Sequence, residues 1–140
     1  MKREVKFRGL KIDSKEWAFG WFTKEKKGSL IVPVIQYYKE WDTGDYVDSY
    51  EIDGNTLGEF TGLKDKNGKE IYEGDIVLVG ETYVGDYRYE DFEGVVEFDE
   101  GQYFVDCKYS KDMGCELDNA TIRNQGLEVI GNIYQNPDLL

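Results

Sequence analysis

The chain has 140 residues, with 29 acidic and 17 basic side chains and no histidine, for a formal net charge of −12. Direct nucleic-acid binding is not favoured, because that interaction draws its affinity from a basic surface that releases phosphate counterions. The absence of histidine excludes Ser-His-Asp and Cys-His nucleophiles and His-containing zinc sites, and with them most common hydrolases.

Nothing in the sequence indicates export or membrane insertion. No apolar run approaches the roughly 20 residues that span a bilayer, and no signal-peptide core follows the first residues. Cys107 and Cys115 fit no Cys-x-x-Cys pattern, so we expect two free thiols in a reducing compartment. The sequence therefore predicts a cytoplasmic protein with no membrane contact.

The composition favours strands over helices. Aromatic residues make up 15% of the chain, which has 16 glycines but only 2 prolines. Strands joined by glycine turns have this composition. We predict an all-β protein with minor helical turns, the latter between Leu117 and Asn124.

Large aromatic side chains recur at every second position near the N-terminus. Trp17, Phe19 and Trp21 alternate with Ala18 and Gly20, which places the rings on one face of a strand. Such a ladder is able to stack bases or sugars. More often it fills a small β core, so we expect these rings in the core.

Pro33 lies inside the next apolar run, Leu30 to Ile35. Proline has no backbone N–H to donate to a ladder. We therefore expect this strand at a sheet edge, or interrupted by a bulge.

Two acidic windows hold the excess negative charge. Glu40 to Glu59 has seven acidic side chains and no basic one, and Glu81 to Glu100 has eight acidic side chains against the single Arg88. Each window carries −7 and the rest of the chain +2, which together give −12. The shift in composition after the first window predicts an N-terminal β lobe, 1–58, packed on a C-terminal module, 59–140, with separate cores or one shared core.

The segment from Phe60 to Val79 organises the C-terminal module. Asp65-Lys66-Asn67-Gly68 predicts a tight turn, because Asp accepts backbone N–H bonds and Asn-Gly tolerates positive φ. Glu73-Gly74-Asp75 predicts a second bend, and Ile76-Val77-Leu78-Val79 predicts a buried strand. We interpret the chemistry of this segment as that of folding rather than of catalysis.

The C-terminal module is predicted to form a small SH3-like barrel or a strongly bent antiparallel sheet. Gly131 falls where the last strand would carry an apolar side chain, which indicates a bulge or a close crossing. The five predicted strands are Phe60 to Leu63, Ile76 to Val79, Gly94 to Phe98, Tyr103 to Cys107 and Leu127 to Tyr134.

Cofactor motifs are absent from the sequence. It contains neither a Gly-x-x-x-x-Gly-Lys-Ser/Thr nor a Gly-x-Gly-x-x-Gly loop, and Asp65 to Gly68 lacks the alternating ligands of a calcium loop. A carboxylate-based, metal-dependent hydrolase needs two or three acids that converge in one pocket. We expect no cofactor, no metal and no catalytic residues, and the hydrolase is the least favoured reading.

The sequence from Phe60 to Val77, FTGLKDKNGKEIYEGDIV, resembles the signature of the YopX-like proteins, small proteins encoded largely by phages and prophages of Gram-positive bacteria. Val5-Lys6-Phe7-Arg8 and the stretch from Glu128 to Leu140 are similar to the family's opening and closing segments. Lys24 to Gly58 and Gly80 to Asp91 depart from the family pattern. The resemblance implies a β-rich fold and a phage setting, and thus the cytoplasm of a bacterial host, but no catalytic residues.

Two functions from different classes remain open. The first is a non-enzymatic protein-binding module whose aromatic side chains supply interface energy and whose carboxylates steer a basic partner. The alternative is an acidic nucleic-acid mimic that inhibits a nucleic-acid-binding protein of host or phage. The alternative to both is that the acidic windows are a solvated surface whose charge gives only solubility. A further hypothesis is self-association through exposed sheet edges. The candidate partner-binding residues are Trp41, Asp45, Tyr46, Tyr50, Asp86, Tyr87, Tyr89, Glu90, Asp91 and Phe92.

Overall fold

The computed structural model describes residues 4–39, 44, 46–107 and 114–140. Its contacts divide the chain into two compact units, unit 1 (Met1–Phe60) and unit 2 (Thr61–Leu140). The described part is mostly antiparallel strand with one short helix, so the all-β prediction is confirmed. The elements are β1 (Phe7–Leu10), β2 (Trp17–Lys27), β3 (Leu30–Lys39), β4 (Tyr46–Glu51), a 3-10 turn (Gly54–Thr56), β5 (Gly58–Lys64), β6 (Glu70–Tyr72), β7 (Asp75–Val79), β8 (Thr82–Val84), β9 (Tyr87–Tyr89), β10 (Phe92–Asp99), β11 (Gln102–Cys107), β12 (Gly114–Glu116), α1 (Asn119–Gln125), β13 (Glu128–Asn132) and a second 3-10 turn (Pro137–Leu139).

Unit 1 is built on a sheet whose neighbouring strands follow the order β4-β3-β2-β1-β5. Its longest hairpin joins β2 and β3, with Trp21 opposite Gln36 and Lys27 opposite Leu30. The core of this unit consists of Ala18, Ile35 and Ile52, with Phe7, Phe22 and Leu57 packed against them.

The aromatic ladder of β2 lies on the outer face, so its expected place in the core was wrong. Ala18 is 3% exposed, whereas Phe19 and Trp21 are 47% and 36% exposed. Side chains alternate along a strand, so only one of the two sets faces the core. A Cβ added to Gly9, which pairs with Ala18, would lie 2.4 Å from Cδ1 of Ile52. Ile52 fills the inner side of this strand pair, where only small residues fit.

Pro33 lies on β3 between β2 and β4, and its pairing with Lys24 shows no bulge, so both expectations for it were wrong. The Pro33 carbonyl oxygen accepts a hydrogen bond from Ile52 N–H at 3.1 Å. In an antiparallel ladder the N–H and C=O of one residue face the same neighbour. An N–H at Pro33 would therefore face Ile52, like the Pro33 carbonyl oxygen. Ile52 lies one residue beyond the end of β4, whose last residue, Glu51, pairs with Val34.

The predicted tight turn is present at the start of unit 2. Asp65 N–H donates to the Lys69 carbonyl oxygen at 2.8 Å. The Asp65 Oδ1 atom accepts from the N–H groups of Asn67 and Lys69, at 2.8 and 2.9 Å. Gly68 adopts a φ of +82°, which the Asn-Gly pair anticipated.

The second predicted bend is also present. Gly74 adopts a φ of +85°, and Asp75 Oδ2 accepts a hydrogen bond from Tyr72 N–H at 2.8 Å. Asp65 and Asp75 are both buried, at 6% and 2% exposure. These two acids of the signature segment bond to backbone donors, which gives them a structural role.

The main sheet of unit 2 has the order β12-β11-β10-β7-β13. Its edge strands are β12 and β13, so the described residues form an open bent sheet rather than a closed barrel. Phe60 to Leu63 was wrongly expected in this sheet, because β5 pairs with β1 and β6 instead. The fifth strand of this sheet is instead β12, in which Cys115 pairs with Val105 of β11. The core consists of Ile71, Val77, Val79, Val96, Val105, Leu117, Ile122, Leu127 and Val129.

The closing strand contains the predicted irregularity at Gly131. The register of β13 against β7 shifts between Val129 and Gly131. A Cβ on Gly131 would lie 2.7 Å from Oδ1 of Asn136, which accepts a hydrogen bond from Asn132 N–H at 3.1 Å. The close approach of this turn explains the glycine.

Helix α1 confirms the helical turns predicted between Leu117 and Asn124. Asp118 caps its N-terminus by accepting a hydrogen bond from Thr121 N–H at 2.7 Å. Gly126 ends it in the left-handed conformation, at a φ of +63°. Ile122 is buried in the core of unit 2.

Candidate partner-binding surfaces

The predicted binding residues lie on two elements that belong to different units. Tyr46 and Tyr50 are on β4 in unit 1, whereas the segment from Asp86 to Phe92 is in unit 2. Trp41 and Asp45 lie outside the described residues. Five of the ten predicted residues, Asp86, Tyr87, Tyr89, Glu90 and Asp91, lie together on one exposed hairpin, and Phe92 begins β10 next to it.

Strands β8 and β9 form a two-stranded ribbon, which we define as residues 81–91. The ribbon is inserted between β7 and β10, whose adjoining ends pair as Val79 and Phe92. Gly85, at a φ of +63°, and Asp86 make the turn at its tip. The first half of the second acidic window thus forms a hairpin extension of the main sheet, and its second half lies on β10.

Two exposed tyrosines lie side by side on β9. The ring centroids of Tyr87 and Tyr89 are 4.8 Å apart, with the rings tilted by 56°. These side chains are 66% and 48% exposed. Tyr83, at 62% exposure, pairs with Arg88, so alternation places it on the opposite face of the ribbon. Tyrosine is enriched at protein interfaces because it buries a large ring while keeping a polar tip.

The ribbon is acidic around this tyrosine pair. Residues 81–91 contain four acidic side chains and one basic one, a net charge of −3. Arg88 Nη2 and Nε lie 2.6 and 2.8 Å from Oε2 of Glu81. The hydrogen bond with Glu81 raises the pKa of Arg88, with smaller contributions from Glu90 and Asp91. Because Glu81 neutralises Arg88, the carboxylates of Asp86, Glu90 and Asp91 make the electrostatic potential of the ribbon negative.

Phe92 differs in exposure from the predicted binding residues on the ribbon. It is half-buried and packs against the core cluster of unit 2. It therefore anchors the base of the ribbon to the sheet.

Tyr50 on β4 makes several contacts within unit 1. Its ring stacks on Tyr37 with centroids 4.8 Å apart and an angle of 12°, and Lys11 Nζ lies 3.8 Å from its centroid. A hydrogen bond with Tyr50 is the largest cause that raises the pKa of Tyr37, followed by burial and Asp48. Tyr46, 40% exposed, has Lys39 Nζ at 5.9 Å from its ring.

Three acids of the first window, Asp48, Glu51 and Asp53, have partners inside unit 1. Asp48 accepts hydrogen bonds from Ser49 N–H at 2.8 Å and from the Tyr37 hydroxyl at 3.2 Å. Glu51 pairs with Lys27 at 2.9 Å, and Asp53 caps the first 3-10 turn. The two acidic windows therefore differ, since three acids of the first are used locally, whereas the first half of the second, residues 81–91, forms an exposed ribbon.

Sequence reasoning missed an exposed aromatic surface on β2 and β3. The rings of Trp21 and Tyr38 meet edge to face at 5.2 Å, and Tyr38 is 71% exposed. Trp21 Nε1 donates to Gln36 Oε1 at 2.6 Å, and Gln36 Nε2 donates to Glu25 at 3.2 Å. The alternation of large and small residues in the sequence defined the two faces of β2. Which face is inward became clear only from the position of Ile52, which packs on the side of Ala18.

Two observations concern metal and small-molecule sites in the described residues. These residues contain no group of three or more Cys, Asp or Glu side chains placed to hold a metal ion. A hollow of about 160 Å³, lined by Ile12, Asp13, Lys27, Tyr50 and Glu51, is smaller than the roughly 300–1,000 Å³ of typical ligand pockets. In this same part of the chain, no helix has the length and apolar character needed to cross a membrane.

The model of the YopX protein family matches residues 6–140. The chain therefore belongs to the YopX family, as the resemblance in its central and closing segments indicated. No curated protein gave a match.

Among solved structures, the chain is similar to the crystal structure of protein EF1440 from Enterococcus faecalis. The two are 26% identical, superpose with a TM-score of 0.61, and match over 99% of each chain. The similarity therefore extends over both units rather than over a single motif.

Proposed function

We propose that this YopX-family protein is a non-enzymatic module that binds a basic partner protein through the ribbon of unit 2. The single observation that carries the proposal is the exposed, mutually contacting pair Tyr87 and Tyr89, set among carboxylates. Aromatic anchors supply most of the energy of an interface, while charge sets the encounter rate and partner choice. The setting we propose is the cytoplasm of a bacterial host that carries a phage or prophage.

The way the chain uses its acids supports a non-enzymatic role. The buried carboxylates of the signature segment, Asp65 and Asp75, accept hydrogen bonds from backbone N–H groups. With no histidine in the chain, the usual general bases at neutral pH are missing. Binding therefore fits the chain better than bond breaking does.

The test is affinity capture from phage-infected host lysate with three proteins: the wild type, the double variant Tyr87→Ala/Tyr89→Ala, and Tyr83→Ala as a matched control. Tyr83 is equally exposed but lies on the opposite face of the ribbon. We expect the wild type and the control to retain the same protein and the double variant to retain at least about tenfold less. Equal retention by all three would contradict the proposal.

A nucleic-acid mimic is the second candidate, favoured by the exposure of Asp86, Glu90 and Asp91 on one hairpin. Repeating the capture at high salt separates the two functions, because screening weakens contacts between exposed charges and leaves apolar contacts. Salt-tolerant binding that needs Tyr87 and Tyr89 supports the protein-binding module. Binding that collapses with salt, to a nucleic-acid-binding target, supports the mimic.

The amide variant Asp86→Asn/Glu90→Gln/Asp91→Asn isolates the charge. These residues are exposed, so the free energy of unfolding is expected to change by less than about 0.5 kcal/mol. The association rate for a basic partner should fall several-fold and lose much of its salt dependence. Loss of cooperative melting would show instead that the carboxylates hold the ribbon together.

Self-association through exposed sheet edges is a separate proposal. The main sheet of unit 2 ends in β12 and β13, and because Asp65 and Lys66 bond to the backbone at the β13 edge, the proposal concerns β12, whose edge backbone groups are able to pair with another chain. Light scattering across a wide concentration range tests it, and a constant monomer mass would contradict it.

A further inference from the structure

The outer face of the five-stranded sheet in unit 2 combines apolar and acidic side chains. Val96 of β10 points into the core, so its neighbours Val95 and Glu97 point outward by alternation. The strand register extends this face to β7, β11, β12 and β13. Its described residues include the fully buried Ile76, three half-buried apolar residues, Leu78, Val95 and Phe104, and six acids, Glu93, Glu97, Asp99, Asp106, Glu116 and Glu128.

The three apolar residues form a diagonal stripe across adjacent strands. On β10 and β11, Phe104 lies opposite Glu97, and Asp106 lies opposite Val95. On β7, Leu78 lies opposite Glu93. Strand spacing and rise put successive stripe residues about 8 Å apart, so the stripe is about 16 Å long. All three are half-buried, and none belongs to the core cluster.

Carboxylates lie on both sides of this stripe and repel one another. Burial raises the pKa of Glu97, and the charges of Asp106 and Asp99 raise it further. At the β13 edge, Lys66 Nζ lies 3.5 Å from Glu128. A cationic partner would relieve the repulsion among the acids of β10 and β11.

The C-terminal segment already covers part of this face. Asn136 and Leu139 lie 2.7 and 2.9 Å from a Cβ position on Gly131, and Ile76, which pairs with Gly131, is fully buried. The stripe begins beside this covered area and continues to Phe104 of β11, which lies between the exposed Glu97 of β10 and the exposed Glu116 of β12. One end of the apolar surface is therefore closed and the other is open.

We propose that this face docks a basic amphipathic helix of a partner protein. The backbone groups of β10 and β11 are engaged in the sheet, so an added strand has no place on the face. A helix rises 1.5 Å per residue, so about 11 residues match the length of the stripe. Apolar residues at i, i+4, i+7 and i+11 would span this length, and flanking Lys or Arg side chains would meet the carboxylates.

The negative charge of the face favours a basic helix over an acidic or uncharged one. An acidic or uncharged helix would desolvate carboxylates such as Glu93 and Asp106 without pairing them, which is costly. The surface is separate from the ribbon, which begins beyond Val79 and ends before Phe92. The inference therefore goes beyond the proposed function and fails or stands independently of it.

The test is a titration of the isotope-labelled full chain, followed by NMR, with a synthetic helical peptide of about 14 residues. The peptide has leucines along one side and lysines on both flanks. One control peptide has the same composition in scrambled order, and another has glutamate in place of lysine. We expect amide shift changes that cluster on β7, β10 and β11 with the amphipathic basic peptide only.

Variants locate the contact independently of the shifts. Glu97→Lys should weaken binding at least about tenfold, whereas Glu16→Lys, an exposed site in unit 1, should change it less than about twofold. Phe104→Ser tests the stripe itself and should weaken binding by a similar factor to Glu97→Lys. Equal binding of the scrambled peptide, shifts centred on the ribbon, equal effects of the two lysine variants, or no binding at millimolar peptide would each overturn the proposal.

Discussion

The carboxylate of Asp65 accepts a hydrogen bond from the backbone N–H of Val129 at 2.9 Å, although the two residues are 64 positions apart. Next to this bond, Lys66 N–H donates to the Leu127 carbonyl oxygen at 3.0 Å. The turn at Asp65 and strand β13 are therefore joined by direct hydrogen bonds.

Removal of the Asp65 carboxylate should destabilise unit 2 strongly. Asp65→Ala leaves three buried or half-buried backbone N–H groups without their acceptor, and hydrogen bonds to charged groups contribute about 1.5–3 kcal/mol each. Since losses within one network are not additive, we expect a decrease of about 3 kcal/mol or more in the free energy of unfolding, measured in urea. Asp99→Ala, an exposed turn residue bonded to Glu100 N–H, is the control and should cost less than about 1 kcal/mol.

The approach of β7 to the end of helix α1 predicts intolerance of any side chain at Gly80. A Cβ there would lie 2.2 Å from the carbonyl oxygen of Gln125, a backbone atom that accepts the Gly80 N–H bond. Gly80→Ala should therefore lower the free energy of unfolding by about 1–3 kcal/mol. Gly54→Ala meets only ordinary contact with Pro33, at 3.4 Å, and is the matched control. Equal melting temperatures for the two variants would contradict the packing described here.

The cap of helix α1 should make a pH-dependent contribution to stability. The Thr121 N–H bond lowers the pKa of Asp118 below its ordinary value of 3.8. A lowered carboxyl pKa contributes stability at pH values above the ordinary one, and this contribution disappears as the pH falls through the folded value. Asp118→Ala should cost about 1 kcal/mol near neutral pH. In denaturant titrations, the difference from wild type should shrink as the pH falls below 3.8, and a constant difference would contradict the charged cap.

Cys115 should react slowly with alkylating reagents. Burial, and to a lesser extent the Asp118 carboxylate, raise the pKa of its thiol from 9.0 to about 11. At about pH 8 the thiolate fraction is then about 100-fold lower than for an ordinary cysteine. Iodoacetamide kinetics followed by mass spectrometry should give an apparent pKa near that raised value, and Asp118→Asn should lower it only partly. An apparent pKa near 9.0 in the wild type would contradict the described environment.

Local chemistry made the turns predictable. At each of the turns, the backbone conformation or the close approach of another segment allows few residue types. This holds for Asp65, Gly68, Gly74 and Gly131, and each feature involves only a few neighbouring residues. By contrast, the sequence pattern at Asp65 could not show that Oδ2 reaches Val129, because that contact depends on how β13 pairs with β7.

Alternation along a strand defines two faces but not their direction. The rings of Phe19 and Trp21 were therefore assigned to the wrong side, and the position of Ile52 against Gly9 decides it. The same limit applies to carboxylates. Asp48 and Asp91 look equivalent in the sequence, yet the first bonds to Tyr37 and the second is exposed on the ribbon.

The sequence by itself determined the strand-rich class, the sites of the tight turns and the concentration of negative charge in two windows, because these follow from residue type and near neighbours. Only the tertiary structure decided that the main sheet is open, that β12 rather than β5 completes it, and which acids and aromatics face solvent. The physical reason is that strand partners come from distant parts of the chain. Many pairings satisfy the same alternating pattern, and selection among them depends on packing in the assembled core.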